Sequence, residues 1–249
     1  MRYCLFIGLT VFALLYAFLP VEAFAQSLTL DMNGSPEGTA AARMIQMVIL
    51  LTLITLAPSI LIMATSFMRI VIVLSFLRSA MGLQQTPPNQ VLVSLALFLT
   101  MFIMAPAFEK SYEDGLKPLM EEKITEMQAI ERIAEPFHSF MMQHVRPKDL
   151  ALFVNMSPNL KIETPEDTPY RVLLPAFMIS ELKRAFEIGF LLFIPFVVID
   201  MLVASILMAM GMMMLPPVMI SLPFKLIFFV MVDGWYMVCG SLIKSFGTV

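Results

Sequence analysis

Charge is scarce in this chain: only 14% of its 249 residues are charged, and 16 Lys and Arg against 19 Asp and Glu leave a net charge of −3. Without a basic excess there is no electrostatic footprint for phosphate backbones, so nucleic-acid binding has no support. Cysteine is nearly absent. Cys4 falls in a leader-like segment, so the mature chain would keep one thiol, Cys239, and no intrachain disulfide. The two histidines, His138 and His144, are six residues apart, off a common helix face and without Cys partners, which argues against zinc. Neither stands in an apolar segment, where an intramembrane serine protease would want one. There is no G-x-S-x-G elbow and no GxxxxGK[ST] phosphate loop. Ser66, Ser75, Ser94 and Ser205 read as small packing or hydrogen-bonding residues. The chain is therefore read as a non-enzyme that needs no cofactor and no metal.

What it has in abundance is apolar surface: 59% hydrophobic residues, a mean hydropathy of +0.85, and 24 methionines. The apolar residues come in blocks rather than in amphipathic stripes, which points to membrane insertion or burial in a large assembly. The expected fold class is all-α, with polytopic membrane-type helical hairpins and a charged helical insertion.

The blocks set the expected organisation. Residues 1–25 read as a signal peptide: Arg2, an apolar run Cys4–Leu19, and the small-residue site Ala23-Phe24-Ala25. An uncleaved first span is the competing reading. Residues 26–43 form a polar arm, and 44–108 a first apolar hairpin. Within the latter, Met44–Leu77 as one helix would be about 50 Å long, so it either breaks near Pro58 or packs partly against protein outside the bilayer. Gly82 ends it, and Thr86 before Pro87-Pro88 is the expected N-cap of the returning helix. Residues 109–184 hold most of the charge and form a helical insertion. Its apolar stripe is Leu116, Met120, Ile124, Met127, Ile130, Ala134, Phe137 and Met141. Residues 185–249 form a second apolar hairpin. With the leader removed, Arg69 and Arg78 fall on the inner side and the acidic insertion outside, consistent with the positive-inside bias.

The second hairpin is organised around Gly211-Met212-Met213-Met214-Leu215-Pro216-Pro217. Gly211 permits the backbone angles that close a helix; Pro216 and Pro217 cannot continue one but can begin the next. Three flexible thioethers at such a tip read either as a deformable seal or as filler of irregular core space. Four ionisable residues stand in apolar segments: Arg69, Asp200, Lys225 and Asp233. A lone buried charge costs several kcal/mol, about 3 or more, or loses its charge. In an antiparallel hairpin, Asp200 and Lys225 differ in depth by only about 4–5 Å, so they are expected to meet, within a hairpin or between copies. Lys225 and Asp233, at i and i+8 of one helix, would be about 12 Å apart and unable to pair. Either these charges relay protons or they fix register in an assembly. Gly189, Ala204 and Gly211 near the Asp200 face favour close-packed protein and the structural role.

Several motifs in fixed order then carry a specific resemblance. They are Met68-Arg69-Ile70-Val71-Ile72-Val73-Leu74-Ser75-Phe76-Leu77-Arg78, Gln85-Thr86-Pro87-Pro88-Asn89-Gln90-Val91-Leu92, Ser180-Glu181-Leu182-Lys183 with Ile188-Gly189-Phe190, Ile194-Pro195-Phe196 with Ile199-Asp200, Gly211–Pro217, Leu222-Pro223-Phe224-Lys225 and Val232-Asp233-Gly234-Trp235. Together they resemble the FliP family of type III export-gate proteins, flagellar and virulence-associated. The resemblance covers about Met44 to Phe246. It implies a pore-forming gate subunit that forms a pentameric ring completed by FliR, with FliQ and other export-gate membrane proteins as partners. Unfolded flagellar subunits would pass through the middle. It also implies that Met212, Met213 and Met214 act as a gasket. The implied location is the bacterial inner membrane, within the flagellar basal body and rising toward the periplasm, with membrane lipid as a further partner although protein covers much of the apolar surface in the assembled gate. The rival from another class is a proton-coupled secondary transporter using Asp200 and Asp233, although the two hairpins show no clear internal repeat.

Overall fold

The computed structural model describes residues 40–157, 167–212 and 215–247; the expected signal peptide and most of the polar arm lie outside them. The chain divides into two units, Met1–Leu50 and Leu51–Val249. Of the first, the described residues begin helix α1, Ala40–Met63.

The rest is helical: α2 Phe67–Ala80, α3 Asn89–Lys110, a π-helical turn Ser111–Leu116, α4 Lys117–Met120, α5 Glu126–His144, α6 Pro147–Asn155, α7 Tyr170–Ala209, α8 Pro217–Met231 and α9 Gly234–Lys244. No strand occurs among the described residues, and the fold is all-α as expected. Two helical stretches, Asn89–Met120 and Tyr170–Ala209, are long and apolar enough to cross a membrane. The α8–α9 pair, bent by 62°, makes a third if counted as one span.

The core is built around α2. Ile70, Val73, Leu74, Leu77 and Ala80 lie on one face at helical spacing and are almost fully buried against α3, α7, α8 and α9. Each large aliphatic side chain so buried contributes about 1.5–3 kcal/mol. The contact with α7 is close: a Cβ on Gly189 would lie 2.5 Å from the Phe76 ring, so only glycine lets that ring lie on the α7 backbone. A second cluster joins Met141 and Val145 to Leu173, Ala176, Phe177 and Ala64.

Four local expectations are corrected. The Met44–Leu77 run breaks at Ala64–Ser66, not at Pro58, which lies inside α1. At the break the Thr65 hydroxyl donates to the Ile62 carbonyl at 2.9 Å, as Thr55 does to Thr52 within the helix, but it also accepts from the Phe67 amide at 3.4 Å, taking that N–H out of the helical pattern. α3 begins at Asn89 after Pro88, so Thr86 is not its cap; Arg78 instead holds the turn, donating to Pro87 O at 3.2 Å and to Asn89 Oδ1 at 2.5 Å. The insertion stripe is not one buried face. The chain turns between Met120 and Glu126, where Thr125 and Gln128 form a capping box that starts α5. The face that packs is Ala129, Phe137, Met141 and His144, while Met120, Met127 and Ile130 are exposed.

Finally, Asp233 is not inside a helix. It adopts φ +50 and ψ +54 at the α8–α9 bend, a left-handed conformation that aspartate tolerates better than most residues. Counting Lys225 and Asp233 along one helix therefore does not apply.

The π-helical turn after α3 seats on α5. Ser111 donates to the Ile133 carbonyl at 2.9 Å, and a Cβ on Gly115 would lie 2.5 Å from Ile133 Cγ1. α7, about 60 Å long at 1.5 Å per residue, runs unbroken through the boundary expected at 184/185. Its N-terminal half is buried against α2, α5 and α6. In its C-terminal half Phe193 meets the Phe76 ring of α2 and Phe196 packs on Phe228 and Phe229 of α8, while Phe190, Leu191, Ile194, Val198, Met201 and Leu202 stay exposed.

Candidate functional site

The α7–α8 hairpin ends in the Met-rich turn. Its first half closes in a Schellman motif: Met212 N–H donates to Leu207 O at 2.9 Å and Gly211 N–H to Met208 O at 3.1 Å, with Gly211 at φ +73. That left-handed position is the one glycine takes without steric cost. Pro216 precedes α8 and Pro217 occupies its first turn, where a missing N–H leaves no helical bond unmade. Met212 is 42% exposed, and Met210, Leu215 and Met219 beside it are exposed as well. Met213 and Met214 lie outside the described residues.

One hydrophilic cluster ties the arms of this hairpin together. Lys225 Nζ on α8 is 2.6 Å from Asp200 Oδ2 on α7, and the Ser221 hydroxyl donates to Asp200 Oδ1 at 2.5 Å. Lys225 also donates to the Ala80 carbonyl at 3.2 Å. Ala80 closes α2, so the ammonium sits at the negative end of a helix and satisfies a carbonyl without an intrahelical partner. Lys225 is almost wholly buried, whereas the Asp200 side chain keeps 30% exposure. The two charges meet within one chain, across the hairpin.

Arg69 makes a second buried cluster on α2, which is not among the candidate spans. Its Nε donates to Glu181 Oε2 at 2.8 Å and its Nη2 to Glu181 Oε1, a two-pronged ion pair with both side chains essentially inaccessible. Nη1 meets the Ser245 hydroxyl at 2.9 Å and its carbonyl at 3.2 Å, and the guanidinium lies 3.7 Å from the Phe246 ring centroid. Burial lowers the Arg69 pKa from its ordinary value, while the hydrogen bond and charge of Glu181 act to raise it. A third, smaller group lies beside it, where the Ser180 hydroxyl donates to Asp149 Oδ2 at 2.7 Å and accepts from the Arg146 amide at 3.0 Å.

Of the residues singled out from sequence, Asp200 and Lys225 are brought together, Arg69 lies in a separate cluster, and Asp233 is placed at the α8–α9 bend. Gly189 faces Phe76. Glu181, Ser221, Ser245 and Phe246 were missed. Glu181 stands in a stretch rich in exposed charge, and nothing local marks it as the partner of a residue 112 positions away. Ser221 is one turn before Lys225 on the same helix, and that spacing was the available clue. Among the described residues no group of three or more His, Cys, Asp or Glu is arranged to hold a metal.

The FliP family profile matches residues 50–242. Among curated relatives, the chain is 57% identical to the flagellar biosynthetic protein FliP of Caulobacter vibrioides over 234 residues, covering 94% of this chain and 88% of the relative. The corresponding protein of Agrobacterium fabrum is 52% identical, over 92% of this chain and 94% of the relative. That of Bacillus subtilis is 54% identical, over 86% of this chain and 96% of the relative. The match spans α2, both buried charge clusters except Ser245 and Phe246, and the whole α7–α8 hairpin, and this chain belongs to the FliP family of flagellar biosynthetic proteins.

Proposed function

We propose that the chain is a pore-forming core subunit of the flagellar type III protein export gate, and that Met212, Met213 and Met214 form a deformable gasket. One observation carries this. The α7–α8 hairpin is pinned to α2 through Lys225 and Asp200, yet Met212 and Leu215 on either side of its tip and most of its apolar flanks are left exposed. Only 11% of the most apolar window of α7 is buried within the chain. Those flanks are surface for lipid or for neighbouring subunits.

In this reading several copies, five in the family's ring together with FliR and FliQ, aim their methionine turns at a common axis. The assembly sits in the inner membrane and rises toward the periplasm. A ring of thioethers is apolar enough to exclude water and flexible enough to re-pack around side chains of unfolded export substrates. Energy for export would come from other components.

The transporter alternative needs Asp200 free to exchange protons, and the engagement of both its carboxylate oxygens by Lys225 and Ser221 favours the structural role. The test is ion leakage in cells carrying the assembled gate. Met212–Met214→Ala is expected to raise resting conductance. A membrane as ion-tight as wild type, with normal assembly, would remove the gasket.

A further inference from the structure

The turn after α9, Ser245–Gly247, does something that the export reading does not require. Ser245 and Phe246 complete the surroundings of Arg69. Glu181 occupies Nε and Nη2; among the described residues Ser245 meets Nη1, with two oxygens; Phe246 covers the guanidinium face. Phe246 is itself buried, stacked on Phe140 of α5 with centroids 6.0 Å apart. Its carbonyl lies 3.4 Å from Nε2 of buried His144, whose Nδ1 lies 2.8 Å from the Phe140 carbonyl. Ser245 and Phe246 thus meet α2 through Arg69 and α5 through Phe140 and His144, follow directly on α9, and reach α7 indirectly, through the Arg69–Glu181 pair.

We infer that the C-terminal turn is a strap that closes the Arg69–Glu181 ion pair and locks α9 to the insertion helix α5. A buried guanidinium tolerates burial only when its donors are occupied and its charge is compensated; uncovering Nη1 and the ring-facing side leaves polar groups buried or lets water in. The strap also crosses a large sequence distance. Ser245 is 176 residues from Arg69, and Phe246 is 102 from His144, so it ties the bent α8–α9 arm to the charged insertion. Displacing α9 therefore breaks the cover of the ion pair, and loosening the ion pair frees α9.

Hydrogen exchange on the detergent-purified full-length protein tests this. Phe246→Ala is expected to speed exchange about tenfold, the equivalent of about 1.4 kcal/mol, at three separate places. These are the C-terminal turn, residues 67–73 of α2, and residues 141–144 of α5, with residues 95–101 of α3 unchanged. Faster exchange confined to residues 242–247 would overturn the strap. The effect on α2 is expected to shrink severalfold in an Arg69→Met, Glu181→Met background, where no charge needs covering; an undiminished effect would reduce Phe246 to ordinary packing and overturn the proposal. Should that background fail to fold, Phe246→Leu decides, because it keeps apolar bulk without an aromatic face. Faster exchange at residues 67–73 supports the strap, and wild-type exchange there contradicts it.

Discussion

Lys225 Nζ lies 2.6 Å from Asp200 Oδ2 and 3.2 Å from the carbonyl of Ala80, so one ammonium joins both arms of the methionine-tipped hairpin to the end of the core helix. Three helices meet at one charge. Its position explains how a hairpin with so little covered surface holds a fixed register: the apolar flanks slide without much penalty, but an unpaired buried ammonium does not.

Charge at this position should be exchangeable only in part. Asp200→Lys or Lys225→Asp alone is expected to abolish swimming in soft agar and to deplete the protein from the assembled gate. The double exchange should restore a measurable fraction of both. Full restoration is not expected, because an aspartate at 225 cannot donate to Ala80 and a lysine at 200 cannot accept from Ser221. Equal loss in the single and double variants would argue against the pair.

The Arg69–Glu181 pair is more deeply buried, and its rupture should be more costly. Glu181→Leu leaves a guanidinium without its carboxylate and is expected to destabilise the chain by about 3–5 kcal/mol. Replacing both residues by Met should be milder than either single truncation, since no orphan charge remains. Thermal unfolding of the three variants in one detergent gives the order directly.

Two glycines separate backbone strain from crowding. A Cβ at Gly211→Ala meets none of the described residues within 4 Å, so its penalty, about 1 kcal/mol, comes from the left-handed backbone angle. Its effect should appear at the hairpin tip, as impaired export with near-normal protein levels. Gly189→Ala drives a methyl into the Phe76 ring and should lower stability. Phe76→Leu should partly rescue Gly189→Ala and leave Gly211→Ala unaffected.

Thr125→Ala removes the capping box that starts α5 and should cost about 1 kcal/mol. The loss should appear as faster hydrogen exchange in the first turn of α5, around Glu126–Ala129, with α2 unaffected.

Much of this architecture was legible in the sequence because apolar blocks and helix-ending residues act locally. The hairpin of Gly211, Pro216 and Pro217 follows from backbone rules alone, and the meeting of Asp200 with Lys225 follows from depths that differ by only about 4–5 Å, within reach of a lysine stem. What stayed hidden depended on contacts far along the chain or on competition between neighbours. The run breaks not at Pro58 but at Thr65, where a hydroxyl takes the amide of Phe67, two residues on. Glu181 resembles its solvated neighbours until folding places it against Arg69. Asp233 looked like a charge within a span, and only the left-handed turn at the α8–α9 bend shows it as a corner.

The most direct measurement of the central claim is crosslinking between copies at the hairpin tip. With Cys4→Ser and Cys239→Ser removing both native thiols, Met213→Cys in gates assembled in native membranes is treated with a short bismaleimide. If the tips converge on one axis, crosslinked dimers and higher species form at position 213, and an exposed control position far from the tip, Ile130→Cys on α5, gives monomer. Monomer at position 213 under conditions where the thiol is fully alkylated would contradict the account.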